Sequence, residues 1–210
     1  MKFLNFNKVL CLSPHPDDAE YSMLGSMLKY NDTEYHILCL SKGGNFDNTT
    51  DIIRHTETKN AWNLINEINY KLFFSDNKTI QEKNTDEWIN YIETNFLSKN
   101  KYDAIFLPSQ YDSHFEHSYI SNLGDALIRI SPISIIQWKS PSTLDNWQAN
   151  MFIDISDYYE KKNKFLKEFH SQLNKIYFNQ KLIDGFHINF ACYKRNIGYV
   201  EQFKIDKLFI

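Results

Sequence analysis

Two short stretches hold the reactive side chains of this sequence. Residues 10–20 read LCLSPHPDDAE, an apolar run that ends in His15 and the adjacent pair Asp17 and Asp18. Residues 112–117 read DSHFEH, where His114 and His117 repeat the three-residue step between His15 and Asp18. Neighbouring carboxylates repel, so placing two together is costly unless a cation or a raised pKa relieves them. Two imidazole nitrogens and a carboxylate oxygen suit Zn2+ or Fe2+ and leave a position for water, the pattern of catalytic rather than closed structural sites. Each stretch alone has an ordinary explanation: an Asp pair often caps a helix, and two histidines three apart often sit on a surface. Together, at the ends of two separate apolar runs, they point to a bound cation.

The elements that must carry these residues alternate between strand and helix signals. Strands are expected at 8–13, 34–41 (closed by Gly43-Gly44), 71–74, 103–108 and 133–138. Helical spacing is expected over 18–30, over about Asp51 to Glu67 with Ile53, Ala61, Leu64, Ile65 and Ile68 on one face, within 79–98, and from His117 to Ile130. The stripe within 79–98 is Trp88, Ile92 and Phe96. The tail offers a strand-like NMFIDIS at 150–156, a charged helix near 157–175, and a closing segment with no clear assignment. Strands separated by helices predict an α/β fold with a mostly parallel sheet covered by helices on both faces. Ligands bind such sheets outside the carboxyl ends of the strands. The polar clusters SPHPDD, SKGGNFD and PSQYDSHFEH all fall at such ends.

Composition narrows the classes. A chain of 210 residues without repeats or low-complexity linkers is expected to be one domain over 1–210. A formal net charge of -3 and the lack of a long basic run argue against a nucleic-acid partner. Three scattered cysteines (Cys11, Cys39, Cys192) form no metal or redox spacing and no disulfide framework, which favours a reducing cytoplasm. No signal-peptide pattern opens the sequence, and nothing approaches the ~20 apolar residues of a membrane span. Aromatic residues make up 16% of the chain. They are expected in the core and in pocket walls, and those of the tail would suit a homo-oligomer contact.

The motifs resemble those of the PIG-L/LmbE-like N-acetylglucosaminyl deacetylases. PHPDDAE (14–20) and DSHFEH (112–117) carry the resemblance most specifically. Weaker support comes from RHTE (54–57), DISDYYEKKNKFLKEFHSQ (154–172) and YVEQF (199–203). The resemblance implies a Rossmann-like three-layer fold and a metal-dependent hydrolase that removes acetyl groups from N-acetylated amino sugars. It further implies His15, Asp18 and His117 as ligands of zinc, with iron(II) an alternative, and Asp17 as the general base. His114 would face the oxyanion and protonate the leaving amine. The substrate would be a small N-acetylated sugar or a nucleotide-, lipid- or thiol-linked conjugate.

Other residues have two readings each. Arg54 and Glu57 could bind sugar hydroxyls or serve as capping and ion-pairing groups. Asp112 could orient His114, touch substrate, or simply form a turn. The resemblance implies that His170 helps shape the site. Lys42 could meet a phosphate on a nucleotide-activated sugar or be a solvated loop residue. The chain departs from the family at SKGGNFD, where many relatives have Thr-x-Gly-Glu/Asp, and at Glu116, where Asp is commoner. Two other classes compete: a metal phosphoesterase or phosphoacceptor using Lys139, and a non-catalytic, metal-stabilised sugar-binding protein. The second has no need of an acid that is not a ligand.

Overall fold

Among the described residues, seven strands, β1 (Lys8–Ser13), β2 (Glu34–Cys39), β3 (Tyr70–Phe74), β4 (Ala104–Pro108), β5 (Ser134–Trp138), β6 (Met151–Asp154) and β7 (Val200–Lys207), form one sheet in the order β3-β2-β1-β4-β5-β7-β6. The structure is a computed structural model and describes residues 1–43, 51–129, 131–195 and 197–209. The first five strands pair in parallel. β7 runs antiparallel to both β5 and β6, so the unassigned closing segment proves to be a strand inserted near the sheet edge. The helices are α1 (Asp18–Lys29), α2 (Asp51–Trp62), α3 (Thr85–Ile92), α4 (Phe115–Ser121), α5 (Gly124–Leu127), α6 (Tyr159–Leu166), α7 (Gln180–His187) and α8 (Phe190–Arg195).

The apolar strand sequences are near-continuous because both faces of the sheet are covered. Successive side chains enter opposite cores. Val9, Cys11 and Phe106 pack with α1, α2 and α6 on one face. Leu10, Leu12, Ile105 and Leu107 pack with α3, α4 and α5 on the other. This is the expected three-layer α/β arrangement.

Strand order decides where a site can form. From β1 the chain steps outward to β2 and β3, then crosses back to place β4 on the other side of β1. The connections after β1 and β4 therefore leave on opposite sides, and a crevice opens at the carboxyl ends of these two neighbours. Register brings Val9 level with Ala104 and Cys11 level with Phe106, so both strands end at similar height.

Several helices differ from expectation. α2 ends at Trp62 rather than Glu67, and Ile53 and Leu64 are exposed. Its inward face is Arg54, Glu57, Thr58 and Ala61, polar where it approaches the crevice, which is why an apolar-stripe reading misplaces it. The expected helix over 79–98 is a 3-10 turn at Ile80–Glu82, then α3 opened by an Asn84–Glu87 capping box, then a π turn at Glu93–Leu97. The expected 117–130 helix is α4 and α5, beginning two residues early; Ile130 lies outside the described residues. The tail helix shortens to α6, followed by turns at His170–Gln172 and Ile176–Phe178.

One buried polar knot ties the tail to α1. Lys162 Nζ donates to Glu201 Oε1 at 2.6 Å and lies 2.8 Å from His187 Nε2. The Glu201 carboxylate also accepts the Gly25 and Ser26 N–H groups at 2.9 and 2.7 Å. Both members of the ion pair are fully buried. Removing one partner leaves an uncompensated charge, at a cost of roughly 3–5 kcal/mol. Lys162→Met is expected to lower the unfolding free energy by about that amount in urea titration; an unchanged midpoint would show that the knot contributes no stability.

Candidate functional site

The turn after β1 is held rigidly. Pro14 and Pro16 fix φ on either side of His15. Ser13 Oγ donates to the His15 carbonyl at 2.8 Å and accepts the Ala19 N–H at 3.1 Å. Ser41, just beyond β2, donates to the Pro14 carbonyl at 2.9 Å. Asp17 then takes a left-handed backbone, φ 114° and ψ −25°, a conformation that costs an L side chain on the order of 1–3 kcal/mol. It occupies the residue before α1, yet its side chain caps nothing. Instead Arg54 Nη2 donates to Asp17 Oδ2 at 3.0 Å and to the Pro16 carbonyl at 2.6 Å, while Nη1 donates to the Gly43 carbonyl at 3.1 Å. Helix capping is therefore not what places Asp17 here.

The turn after β4 meets this one across the crevice. Asp18 Oδ2 lies 2.9 Å from His15 Nδ1 and 3.2 Å from His117 Nε2, and it also accepts the His15 N–H at 2.9 Å. Each imidazole has a second carboxylate on its far nitrogen. His117 Nδ1 lies 3.2 Å from Asp112 Oδ2, and His15 Nε2 bonds to Glu116 Oε2. Both backing carboxylates are themselves held. Asp112 accepts the His114 N–H at 2.8 Å and the Ser140 hydroxyl; Glu116 Oε1 accepts the Ile80 N–H at 3.2 Å. The His114 ring stands beside both other imidazoles, with centroids 4.8 Å from His15 and 4.7 Å from His117.

Burial and charge pull the titrating groups apart. Burial alone would raise the Asp18 carboxyl, but His117 and His15 together hold it well below the usual carboxylate range. Burial would lower His117; Asp18 and Asp112 outweigh it and lift its pKa to about 10. For Asp17 burial dominates, and although Arg54 opposes it, the carboxyl is pushed up to about 7. His114 is lowered, first by burial and then by the charges of His15 and His117. Both effects favour the uncharged imidazole, which still carries one N–H, over the imidazolium.

The donor chemistry fits a divalent cation. His15, Asp18 and His117 each present one ligand atom within 4.8 Å of the others, and His15, His114 and Glu116 form a second such group. The first group has the better credentials. Its carboxylate oxygen is already shared by both rings, and a carboxylate behind each histidine is the usual means of fixing tautomer and orientation in metal sites. These residues are among those lining a cavity of about 690 Å3.

The remaining sequence candidates sort by position. Asp17, Arg54 and His114 line that cavity with the donor group. Asp112 does not: its side chain is sealed off and positions His117 rather than touching a ligand. Glu57 is also removed from the cavity lining, since its two oxygens accept the Ser171 N–H and hydroxyl at 2.8 and 2.7 Å, pinning the 170–172 turn to α2. His170 is exposed and points elsewhere; Gln172 is the lining residue of that turn. Lys42 is half-buried outside the lining, its N–H bonded to the Asn77 carbonyl at 2.9 Å. Gly44 and the following Asn45-Phe46-Asp47 lie outside the described residues. Sequence reasoning missed the Glu116 contact, although the departure from Asp marked the position. It also missed a wall of Tyr21, Tyr177, Phe178 and Phe186, for which the aromatic-rich tail was the available signal.

A sequence model of the PIG-L family, described as GlcNAc-PI de-N-acetylase, matches residues 10–128, spanning both turns. The chain belongs to this family. PIG-L enzymes are hydrolases of a carbon–nitrogen amide bond. No curated protein matches it by sequence. Among solved structures it is similar to N,N'-diacetylchitobiose deacetylase from Pyrococcus horikoshii, at 22% identity over 98% of this chain and 85% of that one, with a TM-score of 0.76. It is similar to a conserved protein from Thermus thermophilus, at 15% identity over 98% and 96%, TM-score 0.77. It is also similar to 4-carboxy-2-hydroxymuconate hydratase from Pseudomonas putida, at 14% identity over 100% and 98%, TM-score 0.74. These likenesses carry the fold. The hydratase among them shows that the PIG-L fold alone does not dictate the reaction.

The backing carboxylates generate a prediction. Asp112→Ala is expected to weaken divalent-cation affinity by about 10–100-fold with the fold intact. Competition with a chelating dye measures this, and unaltered affinity would remove Asp112 from the metal's support.

Proposed function

We propose that the chain is a zinc-dependent deacetylase that hydrolyses the acetamide of an N-acetylated amino sugar or sugar conjugate. The observation that carries this reading is the Asp18 oxygen set between His15 and His117, with Asp17 in the same cavity and paired to Arg54 instead. His15, Asp18 and His117 would hold the cation. When bound, such a cation lowers the pKa of water toward 7 and polarises the amide carbonyl.

The chain's own residues supply the rest. Asp17 is held by one oxygen through Arg54, which fixes the carboxylate's direction. It takes the proton of the attacking water as the oxygen–carbon bond forms, a role worth about 10²–10⁴ in rate. His114, standing over both ligand imidazoles, donates its N–H to the developing oxyanion; a single donor of this kind is typically worth ~3–4 kcal/mol. As the carbon–nitrogen bond breaks, the departing amine takes up the proton that Asp17 received from the water, and acetate is the other product. The competing phosphoacceptor reading gave Lys139 the role of the site's lysine. Lys139 instead lies with its Nζ 5.2 Å from the Phe186 ring centroid and outside the cavity lining.

Two substitutions separate the roles. Asp17→Asn is expected to retain the metal while losing about 10²–10⁴ of kcat in an acetate-release assay. His117→Ala is expected to lose the metal, read as metal content after dialysis. Equal turnover by Asp17→Asn and the unaltered enzyme would remove the general-base assignment. A metal-free enzyme that still released acetate would remove the cation.

A further inference from the structure

Gln172 brings a buried amide to the cavity that the steps above do not use. The residue lines the cavity and is 5% exposed, whereas Gln81, also of that lining, is exposed. The turn that carries it is tight. The Gln172 N–H is donated to the Phe169 carbonyl at 2.8 Å, and its own carbonyl accepts the Lys175 N–H at 2.9 Å. The Phe169 ring is buried in the core behind them.

A chain of committed protons fixes which way the carboxamide faces. Glu57 accepts two hydrogen bonds from Ser171, the N–H on Oε1 at 2.8 Å and the hydroxyl on Oε2 at 2.7 Å. With its one proton already donated to Glu57, the Ser171 oxygen can only accept. Gln172 must therefore turn Nε2 toward it, and does so at 3.0 Å. Oε1 is left facing the other way. It accepts no hydrogen bond among the described residues and is not sealed off by protein, so the space it meets is the cavity. A buried acceptor of this kind is costly unless a donor arrives.

α2 sets this acceptor beside the reacting groups. Arg54 and Glu57 stand three residues apart, neighbours on the helix surface, and reach to Asp17 and Ser171 respectively. Beyond Gln172 in the chain, burial first and then the charges of Asp17 and Asp18 raise the pKa of the Tyr177 phenol, so that ring stands near both carboxylates. On the deacetylase reading, the carbonyl oxygen of the acetamide turns to the cation and His114. Its nitrogen must come within reach of the proton on Asp17. The N–H on that nitrogen needs an acceptor, and Asp17 is engaged with the attacking water.

We infer that Gln172 Oε1 accepts the N–H of the scissile acetamide, that Glu57 is the positioning residue that turns it there, and that this contact selects amides over acetate esters. The inference rests on the deacetylase reading. With its hydrogen held, the nitrogen keeps its lone pair free for the arriving proton. An ester presents an oxygen at this place, and two acceptors would face each other with no proton between them.

Initial rates of acetate release are compared, with the metal-loaded enzyme, for methyl N-acetyl-β-glucosaminide and for the glucoside that carries an O-acetyl ester at the same carbon. Gln172→Met keeps the length of the side chain and removes the acceptor. It is expected to lower kcat/KM for the amide at least about fivefold and for the ester less than about twofold. Glu57→Gln loosens the lock on Ser171 and should give a smaller loss of the same amide-only kind; if Gln172→Met does not fold, the Glu57→Gln ratio decides in its place. An equal loss on amide and ester, or no loss on either, would overturn the inference and leave deacetylation standing. Release from the ester alone by the unaltered enzyme would overturn both readings. If neither probe is hydrolysed, calorimetric titration decides. A loss of amide affinity alone in Gln172→Met keeps the contact and removes the reaction; any other pattern removes both.

Discussion

A single carboxylate oxygen organises this molecule. Asp18 Oδ2 receives His15 from three residues before it and His117 from the far side of the β4 turn. That meeting requires β1 and β4 to be neighbours, parallel, and to end at the same height. The sheet order supplies all three conditions, because the chain reverses its direction of travel across the sheet at this pair of strands. The two covered faces and their separate cores can be understood as the framework that holds this junction still.

Around the junction, charge is arranged in layers. Carboxylates behind both imidazoles fix their far nitrogens, and backbone N–H groups or hydroxyls fix those carboxylates in turn. The two adjacent aspartates are separated by their partners. Asp18 turns to the histidines, and Asp17 turns to Arg54 on α2. Like charges can stand side by side here because each faces a different cation.

Much of this was legible in the sequence, for identifiable reasons. Apolar runs with Gly or Pro breaks gave the five parallel strands, and the two histidine–aspartate turns stood at strand ends where ligands bind. What the sequence concealed was mostly polar residues facing inward. The inner face of α2 is Arg54 and Glu57, so the apolar pattern pointed to the wrong side. Glu57 and Asp112 read equally well as substrate contacts, and only folding shows their oxygens already taken by Ser171 and His117. His170 belonged to a recognisable stretch, but a tight turn directs its neighbour Gln172 inward instead. β7 escaped because an antiparallel strand with Glu201 and Gln202 buried does not look apolar.

The left-handed backbone at Asp17 sets torsion against charge at one position. A glycine there would shed the torsional penalty that an L side chain carries, and the Arg54 guanidinium would still reach the Pro16 carbonyl. Deleting the carboxylate would, however, leave the buried Arg54 guanidinium without its ion-pair partner, a cost of roughly 3–5 kcal/mol that outweighs the relief of the torsion. The unfavourable peptide geometry survives because an attraction between opposite charges across two helices over-determines it.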